Sequence, residues 1–145
     1  MKEKNFYHNF PRASFIDYIS KLRKEEDNLI IVEGIKDKIA LEFWGIRSKI
    51  LSLRRPISEF VLQLTNEFPK ERTIILLMDR DKEGKEFHKK LKTELKRFGY
   101  KVNSEYWLML NRFHIVYIEG LNNHFFRILK KQLDEEIFLF EEDNL

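Results

Sequence analysis

Apolar residues along this chain recur in two rhythms, and the alternation between them predicts the fold. Phe15, Tyr18, Ile19 and Leu22 fall at helical spacing before the charged stretch Arg23 to Asn28, so an amphipathic helix is expected there. The residues ahead of it, Met1 to Arg12, show no clear period. Leu29 to Val32 is a short β-branched run bounded by polar residues, the pattern of a strand buried on both faces. Asp37 to Trp44 reads as a helix closed by Gly45, and Ile50 to Leu53 as a second strand. Pro56 then opens a helix with the stripe Ile57, Phe60, Val61, Leu64 and Phe68. Thr73 to Met78 is the strongest strand pattern of all.

After Gly84, the residues Phe87, Leu91, Leu95 and Phe98 mark a helix capped by Gly99, and its opposite face is rich in lysine. Tyr100 to Val102 suits an edge strand, Glu105 to Asn111 fits either state, and His114 to Ile118 is expected as a further strand. Leu121 to Phe140 reads as a helix, followed by an acidic tail, Glu141 to Leu145, that should fray. Strands alternating with helices call for an α/β fold, a mainly parallel sheet of about four strands with helices on both faces. One domain of residues 1–145 is expected, with a core over 29–120, an N-terminal helical extension over 1–28 and a C-terminal helix and tail over 121–145.

In open α/β sheets ligands bind at the carboxyl ends of the strands, beside the point where strand order reverses. The residues placed there are carboxylates: Glu33 after the first strand, Asp79 and Asp81 after the third, and Glu119 after the late run. If the first and third strands are neighbours, Glu33 and the aspartates reach one edge, and the i, i+2 spacing lets both aspartates face one side of extended chain. Clustered carboxylates repel one another and raise each other's pKa unless a cation lies among them. Oxygen-only ligands suit Mg²⁺ or Mn²⁺, and magnesium typically binds through one or two carboxylates together with substrate phosphate.

Composition narrows the chemistry further. The 145 residues contain no cysteine, which excludes disulfide scaffolds, thiol catalysis and Cys-ligated metals, and the four histidines (His8, His88, His114, His124) show no ligand-pair spacing. Surface or core roles are expected for them. No stretch approaches the roughly 20 apolar residues of a membrane span and the first ten residues lack a signal-peptide run, so a cytoplasmic, membrane-free protein is expected. The net charge of +3 and pI near 9.0 suit an anionic partner. Lys36, Lys38, Arg54, Arg55, Arg80, Lys82 and Lys85 lie on or just past strand ends. Of these, Lys36, Arg80 and Lys85 are the candidates for phosphate contact, with Gly34 and Gly84 letting backbone approach a metal or phosphate. Trp107 and Tyr106 are the aromatic residues to consider for base stacking.

Two of these segments carry a resemblance. Ile31-Val32-Glu33-Gly34-Ile35-Lys36-Asp37 is similar to the first motif of the Toprim family, the module shared by topoisomerases, primases and a group of nucleases: a strand, then Glu-Gly-x-x-Asp opening a helix. Met78-Asp79-Arg80-Asp81-Lys82-Glu83-Gly84 resembles its second motif, Asp-x-Asp after the third strand with a glycine following. The two lie about 45 residues apart with one strand-helix unit between, as in that family. The resemblance implies a Rossmann-like Toprim fold over roughly Leu29 to Gly120, Asp79 and Asp81 as metal ligands, and Glu33 as general acid/base or metal ligand. Asp37 matches the motif's second acid, and Glu119, in Ile-Glu-Gly-Leu-Asn, is similar to a late acidic motif of the subgroup containing a ribosomal-RNA-maturing ribonuclease.

Topoisomerases add a domain with a nucleophilic tyrosine, and bacterial primases add a zinc-binding domain and polymerase elements. Neither fits this length. The resemblance therefore points to a small Mg²⁺-dependent nuclease acting on RNA or DNA. The alternatives are a non-catalytic nucleic-acid-binding module, or a subunit that works with a protein partner or as a homodimer, docking through the Phe125, Ile128, Leu129 side of the last helix. Each acid also has a plainer explanation: Glu33 and Asp37 stand where a helix N-terminus favours acids, and Asp79 and Asp81 could simply form a turn.

Overall fold

The computed structural model describes residues 8–143, with side chains through 137. Expectations for the first seven residues and for Asn144-Leu145 fall outside them. Four strands form one sheet: β1 (Leu29–Val32), β2 (Lys49–Ser52), β3 (Ile74–Leu77) and β4 (Val102–Asn103). They pair in the order β2-β1-β3-β4, every pair parallel, with Leu29 opposite both Lys49 and Ile74. The chain therefore steps from β1 outward to β2, returns across the sheet to β3 and continues the other way. The strand order reverses between β1 and β3.

Among the described residues the helices that accompany the sheet are α1 (Arg12–Arg23), α2 (Ile35–Phe43), α3 (Ile57–Glu67), α4 (Lys82–Arg97), α5 (Glu105–Met109) and α6 (His124–Asp143). Because side chains alternate across a strand, β1 and β3 feed two cores. Ile30, Val32, Ile75 and Leu77 point into the layer formed by α1, α2, α6 and the segment after β4. Leu29, Ile31, Ile74 and Leu76 point into the layer formed by α3 and α4, with Phe60, Val61, Leu64, Leu91 and Leu95. Each of those strand residues is essentially inaccessible to water, worth about 1.5–3 kcal/mol of apolar burial per side chain. Two-sided burial is why both strands read as unbroken apolar runs. Among the described residues no helix is long and apolar enough to cross a membrane.

The segment after β4 differs from its sequence reading. Glu105 to Asn111, open between states, is α5 running into a 3₁₀ turn at Leu110–Phe113. His114 to Ile118 is no strand: His114 adopts a left-handed backbone, φ 54°, which ends any extended run. Ile115 and Ile118 are buried while Val116 and Tyr117 between them are 42% and 51% exposed, a spacing of three instead of strand alternation. A second 3₁₀ turn occupies Ile118–Asn122, so the last helix begins at His124 and not at Leu121. Its start is fixed by the Asn123 side chain, whose Oδ1 accepts the Phe126 N–H at 3.0 Å. On α6, Leu129 is buried and Phe125 packs against the core, which leaves Ile128 as the exposed member of the expected apolar patch.

Candidate active site at the carboxyl edge of the sheet

Glu33 follows β1 and Asp79 follows β3, so the reversal of strand order brings the two acids together. Glu33 Oε1 accepts the backbone N–H of Asp79 at 3.1 Å, a direct link across 46 positions of sequence. Asp79 Oδ1 accepts the backbone N–H of Ile118 at 2.9 Å. Asp81 is the N-cap of α4, its Oδ1 accepting the Gly84 N–H at 2.7 Å. Glu33, Asp79 and Asp81 thus each spend one oxygen on a main-chain donor, which fixes the carboxylate's direction.

Asp37 lies in the first turn of α2, and its Oδ2 accepts the Gly34 N–H at 3.0 Å, half of a capping box. The helix-terminal explanation for this acid is therefore partly right. It is nonetheless buried and feels the charges of both Asp79 and Glu119. Glu119 is the exposed residue of the 3₁₀ turn Ile118–Asn122, whose Ile118 and Leu121 are buried. All five acids singled out from the sequence are electrostatically in contact as one group.

The two glycines of the motifs behave differently. At Gly84 a Cβ would stand 2.0 Å from the Asp79 carbonyl oxygen and 2.6 Å from Glu33 Oε1, so any side chain would displace the acids. At Gly34 the nearest atom to such a Cβ is Asp37 Oδ2 at 3.9 Å, an ordinary contact. Gly84 is a structural requirement of the site, and Gly34 is not.

Burial and repulsion between carboxylates raise Glu33, Asp37 and Asp79. Partial desolvation, followed by the charge of Asp79, pushes Glu33 from 4.5 up to about 7. Asp37 rises from 3.8 to about 6 for the same two reasons, against hydrogen bonds from the Gly34 and Glu119 backbone. Desolvation likewise raises Asp79, opposed by the Ile118 N–H. Glu33 and Asp37, raised first by burial and then by the neighbouring carboxylate of Asp79, mark a site short of positive charge. The donors are all oxygen, which fits a hard cation such as Mg²⁺. Among the described residues no three acidic or imidazole side chains form a closed metal cage.

Of the basic candidates, Lys36 is exposed and lines a recess of about 530 Å³ with Ile39, Glu119, Gly120, Asn122 and Asn123. Lys85 is exposed in the first turn of α4. Arg80 is already engaged: its guanidinium donates to the Trp107 carbonyl at 2.9 Å and lies 4.5 Å from that ring's centre, while its own N–H reaches the Val116 carbonyl at 2.7 Å. Trp107 is also stacked on His88 at 3.8 Å, and His88 Nε2 meets Ser104 Oγ at 3.0 Å. Tyr106 is buried and its hydroxyl is bound to Glu25. The His88–Trp107–Arg80 contact was missed in the sequence, where the only signal was the flagged Trp107; nothing in the spacing links positions 80, 88 and 107. Burial, then the charges of Lys92 and Arg80, drives His88 down to about 4, so it is neutral at physiological pH.

Comparison with known proteins agrees with this geometry. The Toprim-like family profile matches residues 30–108. A UPF0292 protein of Thermococcus kodakarensis is 34% identical over 110 residues, 75% of this chain and 79% of its own length. A UPF0292 protein of Pyrococcus abyssi is 37% identical over 114 residues, 76% and 83% of the two chains. Among solved structures, a protein from Aquifex aeolicus superposes with a TM-score of 0.64 at 28% identity, covering 72% of this chain and 94% of that one. With Glu33, Asp37, Asp79 and Asp81 all inside the matched stretch, the chain belongs to the Toprim-like family.

Proposed function

We propose that this protein is a small Mg²⁺-dependent nuclease that hydrolyses phosphodiester bonds at the edge shared by β1 and β3. At the level of the family, Toprim domains are associated with magnesium and with chemistry on nucleic acids. The observation that carries the finer reading is the Glu33 to Asp79 contact over Gly84, because it joins two sequence-distant acids where no fold requirement calls for them.

In this reading Asp79 and Asp81 present their remaining oxygens to Mg²⁺, which, when bound, neutralises charge on the phosphate and orients it. Glu33, poised near neutrality, is placed to handle the proton. Water oxygen attacks phosphorus, its proton passes to the Glu33 carboxylate, the phosphorus–oxygen bond to the leaving group breaks, the leaving oxygen takes up a proton from solvent water, and Glu33 releases its proton to solvent. Asp37 supports the charge balance from α2, and Lys36 and Lys85 lie at either side to meet the phosphate backbone.

The test is incubation of the purified protein with labelled single- and double-stranded RNA and DNA, with Mg²⁺ or Mn²⁺ and with EDTA, beside Asp79→Asn. Metal-dependent cleavage that the variant loses supports the reading and identifies the substrate. Cleavage retained in full by Asp79→Asn, or none on any substrate, refutes it. Exposed Lys36 and Lys85 beside the acids favour one second reading, a module that binds nucleic acid without cutting it; that protein would bind equally with metal or EDTA and lose affinity with salt.

A further inference from the structure

Helix α4 starts at the site and leaves it along the surface. Five lysines, Lys82, Lys85, Lys89, Lys92 and Lys96, follow one another along it at alternating spacings of three and four. At 3.6 residues per turn they fall within roughly an 80° arc, a single stripe about 21 Å long. Lys82 follows the N-cap Asp81 directly, so the stripe begins at the acids. Four of the five are exposed and Lys92 is half-buried, while Leu91 and Leu95 hold the helix to the core from another side.

Helix formation alone does not favour this pattern. Like charges three or four residues apart repel, and four successive pairs do so here. Lys96 gains from the helix C-terminus, but Lys82 and Lys85 sit at the end where the helix dipole opposes cations. The acids of α4 compensate little: Glu83 pairs with Arg55 at 2.9 Å, Glu94 with Arg97 at 3.9 Å, and Glu86, a helix neighbour of Lys82 and Lys89, is one acid against five lysines. Among the described residues none of the five lysines has an acid within 4 Å. The stripe also runs beside Arg80, since Lys92 and Arg80 both bear on His88. A solvated surface helix would mix its charges; this one sorts them, and the sorted cations lead to an acidic site that needs a phosphate.

We infer that the lysine stripe of α4 is the track along which a nucleic-acid strand lies, its backbone phosphates passing over Lys96, Lys92 and Lys89 before reaching the acids at Asp81 and Glu33. The inference rests on the nuclease reading for its direction, since it names where that site's substrate continues. It differs from it in requiring binding only. The α4 track fits a sugar-phosphate backbone because the charges are evenly spaced, unpaired and continuous with the site.

The test measures binding of labelled mixed-sequence single-stranded RNA, single-stranded DNA and duplex in EDTA, where metal-dependent cleavage is absent, across about 50 to 200 mM salt. Wild type is compared with a Lys89→Ala, Lys92→Ala, Lys96→Ala triple variant. The control is a Lys24→Ala, Arg112→Ala, Lys131→Ala variant, which removes the same charge from elements packed on the opposite layer. Thermal melts establish that each is folded. Loss of three phosphate contacts should lower the slope of log affinity against log salt by about 2 on a single strand and weaken binding at least about tenfold, with little effect in the control. Equal slopes and affinities in the two variants overturn the track while leaving cleavage, tested separately by Asp79→Asn, untouched. A stripe-dependent slope in a protein that never cleaves keeps the track and sinks the nuclease. Anionic phospholipid vesicles are the comparison ligand, and stripe-dependent binding to them with none to oligonucleotides also overturns it.

Discussion

The acids carried on strand ends and the acid carried on the late turn are built by different means. Glu33, Asp79 and Asp81 leave β1 and β3, whose side chains are sealed on both faces, so their positions follow from the deepest packing in the molecule. Glu119 rides on Ile118–Asn122, a 3₁₀ turn with no sheet pairing and an exposed side chain. Yet that turn is not idle: its Ile118 N–H fixes Asp79, and Val116 just before it accepts the Arg80 N–H. The strands supply the carboxylates, and the late segment closes over them through its backbone. This division matches the reach of the family profile, which spans the strand-borne acids and stops before Glu119.

The comparison breaks most sharply in activity. Glu33→Gln and Asp79→Asn should each lower cleavage by about 10²–10⁴-fold, with circular dichroism unchanged. Glu119→Gln should lower it by less than about tenfold, because the side chain contributes charge from the rim. Equal losses in all three, read from single-turnover rates, would mean that the late turn belongs to the chemical centre.

The glycines give the next largest effect, this time in stability. Gly84→Ala puts a methyl group 2.0 Å from a backbone oxygen that cannot move without moving Asp79. It should cost about 3 kcal/mol or more in denaturant unfolding. Gly34→Ala, whose methyl group would make only an ordinary contact with Asp37 on an extended backbone of φ −144°, should stay within about 0.5 kcal/mol. A Gly84→Ala protein as stable as wild type would show that the Asp79 loop is adjustable.

How much of this was legible follows the same division. β1 and β3 could be read from Leu29 to Val32 and Thr73 to Met78 because burial on both faces leaves an unbroken apolar run, and their acids follow at once in sequence. His114 to Ile118 shows a similar apolar run without being a strand. A short run cannot reveal that His114 turns left-handed or that Ile115 and Ile118 alone face the core. The Asn123 cap was open to reading, since asparagine before an apolar helix is a known start signal, and the longer apolar pattern from Leu121 obscured it. The His88–Trp107–Arg80 contact joins three elements, and no local pattern encodes it.

The smallest effect is the most diagnostic, because the acids beside β1 and His88 on α4 respond to pH with opposite sign. Glu33 and Asp37 have folded-state pKa values of about 7 and about 6, above the ordinary 4.5 and 3.8, so between those limits the folded protein holds protons that the unfolded chain has released. Their contribution to stability is full below about pH 4 and is lost as pH rises through 6 to 7. His88 runs the other way. With its folded value near 4 and an ordinary value of 6.5, the unfolded chain takes up the proton first, so its contribution is present above 6.5 and lost as pH falls toward 4. Metal-free stability of wild type should therefore fall as pH rises from 4.5 to about 6, because two raised acids oppose one lowered histidine. In Glu33→Gln, with Asp37 alone left against His88, it should be nearly flat across that window. Added Mg²⁺ should stabilise wild type more at pH 7.5 than at pH 5, since only ionised acids bind it and only the folded chain assembles them. Melting curves over this range, with and without Mg²⁺, separate the two contributions; a Mg²⁺ effect independent of pH would place the ion away from Glu33 and Asp79.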